Sequence, residues 1–187
     1  MKLHKIIFII FSVLMLAYLL WPVSPQRVSD FADLPNSNKS TLSGDTVQVP
    51  NVAGFFSNNY RRVVIPFYIN QYVDLYGVKV RPLRLNYPPE FAYTAIKDQT
   101  QSTYLEELVY PLRDSLFING LEPFKEGTQE KRYTSAEPFY VDDIYQTKVT
   151  LRYYPSNVYI RFIVWVGLMM SIYLLYRLSQ KVIYSNE

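Results

Sequence analysis

Two long apolar runs bracket this chain. The first, Ile6 to Val23, holds eighteen residues without a charge. As a helix it spans ~27 Å, close to the ~30 Å hydrocarbon core of a bilayer. Lys2 and Lys5 precede it, and Tyr18 and Trp21 lie at its far end, where amphipathic rings favour the headgroup level. A cleaved secretory leader shares the basic start, but this run is long for a leader core. "LLWPVSPQ" also lacks a small-residue cleavage site. Residues 1–23 are therefore expected to form an uncleaved membrane anchor.

The second run, Val158 to Tyr176, is interrupted only by Arg161. An arginine one turn inside a span can lay its stem along lipid and reach the interface with its guanidinium. Tyr159 and Trp165 mark one end, and Tyr173 and Tyr176 the other. The pattern predicts a transmembrane helix over 158–177 and a short tail over 178–187. Gly167 and Ser171 form a small-x-x-x-small pair, a spacing that lets helices approach closely in lipid.

Between the runs the pattern changes twice. Residues 24–58 are rich in Pro, Ser, Asn and Asp without a sustained apolar period, which predicts a flexible tether. A folded domain is expected over 59–157. "RRVVIPFYI" and "VKVRPLRL" are rich in β-branched, aromatic and alternating residues, predicting strands near 61–69 and 78–85 with a turn at Gly77. Pro66 and Pro82 demote those to edge strands or broken strands.

"YPPEFAYTAIKDQ" opens a helix with prolines in its first turn. Thr103 to Glu106 has capping-box spacing. Leu105, Leu108, Val109, Leu112 and Leu116 recur at helical intervals, predicting a helix to Phe117, kinked at Pro111 or split there into two short helices, and stopped at Asn119–Gly120. "KVTLRYY" alternates as a strand, with Val149, Leu151 and Tyr153 on one face and Lys148, Thr150 and Arg152 on the other. The expected class is α+β, a small extracytoplasmic domain between two transmembrane helices.

Charge refines this picture. The whole chain carries a formal net charge of +3, but residues 24–157 hold fourteen Lys and Arg against fifteen Asp and Glu. A nearly neutral middle gives no electrostatic basis for nucleic-acid binding. Lys2 and Lys5 at one end, and Arg177 and Lys181 at the other, place both tails in the cytoplasm by the positive-inside rule. Within the domain, Arg61, Arg62, Lys79, Arg81 and Arg84 face only Asp74, which reads more readily as a solvated strand face than as an anion site.

Absences exclude much chemistry. The chain has no cysteine, so disulfides, thiolate metal sites and cysteine nucleophiles are out. His4 is the sole histidine and falls in a tail, which removes histidine triads from the domain. No phosphate-cradling or nucleophile-elbow motif occurs, and no cofactor is expected.

Carboxylates and tyrosines remain. Glu90, Asp142 and Asp143 form the candidate carboxylate site of a glycan-processing domain, since two carboxylates suffice for glycoside hydrolysis. A solvated turn at Asp142–Asp143 is the plainer reading. Glu106 and Glu107 read as the acidic first turn of a helix. Eighteen tyrosines are the most unusual feature, and tyrosine suits both protein interfaces and sugar rings. Tyr140 and Tyr145 are the candidate anchors. The expected function is an accessory or assembly subunit of an envelope complex, contacting membrane lipid and other membrane or envelope proteins. The alternative is a membrane-anchored glycan-binding or glycan-processing domain.

Overall fold

The computed structural model describes residues 3–21, 25–42, 45, 50–77, 79–96 and 101–184. Lys2, Val23, Val78 and Glu187 lie outside them. The chain divides into two compact units, one of residues 23–155 and one that brings its two ends together. The class is mixed α+β with an antiparallel sheet.

In the terminal unit, helix α1 (Leu3–Leu19) and helix α4 (Val158–Tyr184) run side by side. Three contacts fix an antiparallel pairing. Arg161 reaches the C-terminal end of α1, Trp165 Nε1 donates to the Ser12 carbonyl at 3.1 Å, and the Tyr176 hydroxyl lies 3.0 Å from His4 Nε2. Helix α4 is long and apolar enough to cross a membrane, whereas α1 is a shorter apolar helix. At 27 residues, α4 also extends beyond the expected 158–177 into the segment read as a tail.

Arg161 departs from the expected snorkelling. It is buried, with Nε donating to Ser156 Oγ at 2.7 Å and Nη2 to the Ser156 carbonyl at 3.0 Å. Its Nη1 lies 3.5 Å from the Leu19 carbonyl oxygen. The last carbonyls of a helix lack internal partners and carry partial negative charge, so a guanidinium there is well placed.

The 23–155 unit is built on six antiparallel strands: β1 (Ser37–Lys39), β2 (Val52–Ser57), β3 (Leu83–Tyr87), β4 (Tyr104–Tyr110), β5 (Asp114–Leu121) and β8 (Thr147–Tyr154), in the order β1-β2-β8-β5-β4-β3. A separate two-residue ribbon pairs β6 (Phe139–Tyr140) with β7 (Ile144–Tyr145). Helix α2 (Arg61–Tyr76) covers one face of the large sheet, and the short helix α3 (Ala92–Ile96) packs on the other with Leu105.

Four expectations change. Residues 61–69, read as a strand, form most of α2. Val64, Tyr68, Tyr72 and Tyr76, four apart, make a single buried stripe completed by Ile65. Tyrosine and β-branched residues are common in strands, so local composition hid a period of about 3.6. Of the expected strand over 78–85 only Leu83–Leu85 fall in a strand, β3, which runs on to Tyr87, and Gly77 ends α2 in a left-handed cap at φ 65°.

The expected long helix over 103–117 is instead the β4–β5 hairpin, with Leu108 opposite Leu116. Both faces of these strands are covered in part, so their alternation blurs. The segment 24–58, read as a tether, is docked in its described residues. It supplies β1 and the fully buried β2, while Phe31 packs edge-on against Tyr72 and Tyr153. The helix opened by "YPPEF" is present as a 3₁₀ turn (Pro89–Phe91) running into α3, and β8 follows the alternation read for it.

The β4–β5 turn carries local strain. The Arg113 N–H donates to the Tyr110 carbonyl at 3.0 Å, and Leu112, third of the four residues, has φ 60°. That region favours glycine, and Leu112 is exposed, so little packing repays it. Leu112→Gly is expected to raise domain stability by about 1 kcal/mol, measured as the denaturation midpoint of the full-length protein. A lowered midpoint would refute the strain.

Candidate functional site

Two features stand out: an apolar ribbon and a charged cleft. In the ribbon, cross-strand pairing sorts the side chains by face. Phe139 opposes Tyr145, and Tyr140 opposes Ile144. The first pair is half-buried, with the Phe139 ring 5.5 Å from that of Phe56. The second pair points outward, with Tyr140 72% and Ile144 55% exposed beside an exposed Val141. Tyr140 and Tyr145 are therefore not equivalent anchors. Tyr145 belongs to the base of the ribbon and Tyr140 to its free face.

The candidate carboxylates do not assemble. Asp142 accepts a bond from Asn38 Nδ2 at 2.9 Å, and Asp143 accepts one from the Ile144 N–H at 2.7 Å. Both serve the ribbon turn. Asn38 lies on β1, at one edge of the sheet, whereas Glu90 follows β3 at the opposite edge. Five strand spacings separate those edges, roughly 24 Å at ~4.8 Å each. The 5–10 Å spacing of a glycosidase pair is not met between Glu90 and the two aspartates.

Gly167 and Ser171 lie on α4 about 160° and 120° round the helix from Trp165, at ~100° per residue. They face away from α1, and Ser171 Oγ donates to the Gly167 carbonyl at 2.8 Å. The small pair plays no part in the α1–α4 contact.

The charged cleft lies at the start of α2 and takes in Arg61, Arg62 and Arg84 of the expected cation run. It has a volume of about 450 Å³ and is lined by Tyr60, Arg61, Arg62, Ile65 and Pro66, by Arg84 of β3, and by Glu122, Glu126 and Arg132 after β5. At its base Glu106 is fully buried. It accepts Arg61 Nε and Arg84 Nη2, each at 2.6 Å, and Arg84 Nε as well. The cation cluster read as a solvated strand face thus divides, with two of its arginines converging on one carboxylate. Glu106, expected in the first turn of a helix, instead points from β4 onto the α2 side of the sheet.

Arg61 continues to Asn86 Oδ1 at 2.7 Å and lies over the Tyr104 ring. That ring needs Gly120 beside it, because a Cβ there would sit 2.1 Å from ring carbons. Burial, then the nearby Glu122 and Glu106 carboxylates, drive the Tyr104 hydroxyl well above its ordinary pKa, so it stays neutral.

Glu122 caps the helix from outside. Its Oε1 accepts the Arg61 N–H at 2.6 Å, and Oε2 lies 3.3 Å from Arg132 Nη2. A carboxylate at a helix N-terminus is favoured by the dipole. The spacing Glu122 to Arg61 is sixty-one residues, so no local sequence signal could reveal it. Among the described residues no group of three or more His, Cys, Asp and Glu could hold a metal ion. No family profile, curated protein or solved structure matches this chain.

Burial, above all, raises the Glu122 pKa from the ordinary glutamate value. The folded state then holds the proton to higher pH than the unfolded chain. This contribution favours the fold below the ordinary value and is lost as pH rises through the raised one. Glu122→Gln cannot titrate. Its stability relative to wild type should therefore improve as pH climbs from about 4.5 towards neutrality. Paired denaturation curves across that range check this, and a constant difference would contradict it.

Proposed function

We propose that this chain is a two-span membrane protein whose 23–155 domain lies outside the cytoplasm and works as an accessory or assembly subunit of an envelope complex. The membrane part is supported by the antiparallel pairing of α1 with α4, which brings Lys5 and His4 to the same end as Tyr176 and Arg177. At ~1.5 Å per residue α1 is ~25 Å long, enough to approach the bilayer thickness with Tyr18 and Trp21 at the interface. In that arrangement Arg161 works as a cap for α1.

The observation that carries the functional reading is the outward Tyr140–Ile144 pair on a ribbon whose base is fixed. An exposed tyrosine flanked by aliphatic side chains on an ordered support is the composition of a protein-binding anchor, with little conformational freedom left to lose on binding. The partner is another membrane or envelope protein. The carboxylates of the same turn support the ribbon, which favours this reading over glycan processing.

Reporter fusions test the topology. Fusions after Lys39 and at Glu187 should report opposite sides, with Lys39 outside. The same side for both would leave a single span.

Partner recovery tests the surface. Tyr140→Ala combined with Ile144→Ala should weaken recovery from gently solubilised membranes by roughly thirtyfold, the equivalent of about 2 kcal/mol. Asp142→Asn with Asp143→Asn should retain it. Loss of cellular function in the second variant with the complex intact would replace the interaction reading by an enzymatic one.

A further inference from the structure

The charged cleft offers more positive charge than its own carboxylates use. Four guanidiniums, of Arg61, Arg62, Arg84 and Arg132, meet three carboxylates, of Glu106, Glu122 and Glu126. Arg61 and Arg84 are committed to Glu106 at the base. Arg62 and Arg132 hold their carboxylates more loosely, although Arg132 Nε also donates to the Phe124 carbonyl at 3.2 Å. The Arg62–Glu126 pair, at 2.9 Å, has its arginine side chain 82% exposed, and the Arg132–Glu122 contact is 3.3 Å long. An exposed pair like the first exchanges readily with solvent ions, and the second is long although Glu122 is buried.

The backbone adds to the imbalance. In the first turn of the sixteen-residue α2, the Arg61 N–H goes to Glu122, and those of Val63 and Val64 go to the Tyr60 carbonyl. The Arg62 N–H has no partner shown among the described residues. Nη1 of Arg62, of Arg84 and of Arg132 likewise shows no hydrogen bond there. The remaining wall, Ile65, Pro66 and the Tyr60 ring, is apolar. Four cations from α2, β3 and the segment after β5, a helix N-terminus and an apolar side wall thus surround one cleft.

We propose that this cleft binds a small organic molecule through a phosphate group. Guanidiniums approaching from different elements suit an anion with several outward oxygens, and the fork of each can take two of them. The apolar wall receives the organic part. A cavity of about 450 Å³ is ample for a phosphate with a few carbons attached. Glu126 moves off Arg62 as the anion enters. Glu122 stays on the Arg61 N–H and opposes the incoming charge, which keeps affinity moderate. The same chemistry is offered by a soluble phosphomonoester and by a phospholipid headgroup.

Calorimetric titration of the full-length protein in neutral detergent micelles with glycerol 3-phosphate tests this. Saturable one-site binding is expected, weakened at least tenfold in Arg62→Ala and in Arg132→Ala. Arg62 is so exposed that its variant should fold normally. Glu122→Gln should tighten binding several-fold at constant pH, because it removes the opposing charge and retains an oxygen for the Arg61 N–H. Doping the micelles with phosphatidic acid separates the two sources: competition assigns the headgroup, and unchanged titration assigns the soluble ester. Absence of saturable binding up to about 10 mM, or equal binding by both arginine variants, overturns the proposal.

Discussion

A tyrosine can enter a protein core only if its hydroxyl finds a partner or accepts the cost of losing water, and the 23–155 domain is organised around that constraint. Tyr68, Tyr72 and Tyr76 lie along the buried side of α2, and Tyr110 and Tyr153 meet them from β4 and β8. Tyr76 donates to the buried Asp114 carboxylate. Tyr110 donates to the Val80 carbonyl at 2.7 Å, and Tyr153 to the Pro25 carbonyl at 2.9 Å. Each bond draws a distant piece of chain inward. The start of the domain, the approach to β3 and the first residue of β5 are all held by hydroxyls from one aromatic layer. Burial, with Asp114 helping at Tyr76, keeps the Tyr72 and Tyr76 phenols neutral far above their ordinary titration range.

The two ends of α2 meet different demands. Its C-terminal half fills the core with rings, stacked edge-on at centroid distances of 5.3 Å between Tyr72 and Tyr76 and 5.0 Å between Tyr72 and Tyr110. Such geometry adds to simple area burial. Its N-terminal turn emerges among arginines and glutamates. Glu106 links the two regimes. It lies on the same face of β4 as Leu108 and Tyr110, yet its carboxylate is fully buried and held by Arg61 and Arg84. Removing either arginine would leave that charge short of partners, and a buried, poorly paired carboxylate costs far more than a surface one. Core and cleft therefore cannot be changed independently.

Parts of this were legible in the sequence and parts were not, for identifiable reasons. The α+β class, β8 with its Val149–Leu151–Tyr153 face, and the apolar helix from Val158 all announced themselves through their own periodicity. Helix α2 did not, because its stripe is tyrosine, which shares strand preference and scores as only weakly apolar. The β4–β5 hairpin failed the opposite way. Leu105, Leu108, Leu112 and Leu116 fall at helical spacing by coincidence, while Pro111 marked a reversal, not a kink. Tyr140 was recognisable as an aromatic in a polar turn, but its separation from Tyr145 depends on which face of the ribbon Phe56 meets. The cleft was the least visible, since Arg61, Arg84, Glu106, Glu122 and Arg132 meet only through sheet order.

One bond has a bearing on how the molecule is made. The Leu19 carbonyl and the Arg161 guanidinium are 142 residues apart. Synthesis runs from the N-terminus, so the first helix is complete long before its cap exists. During that interval its last turn must be satisfied by water or by some other donor, and the intervening 23–155 unit has time to fold as a unit. The contact between the two ends can form only once Arg161 has been made. A chain cut short before Arg161 keeps every residue of the 23–155 unit, yet its first helix ends without the guanidinium that meets the Leu19 carbonyl.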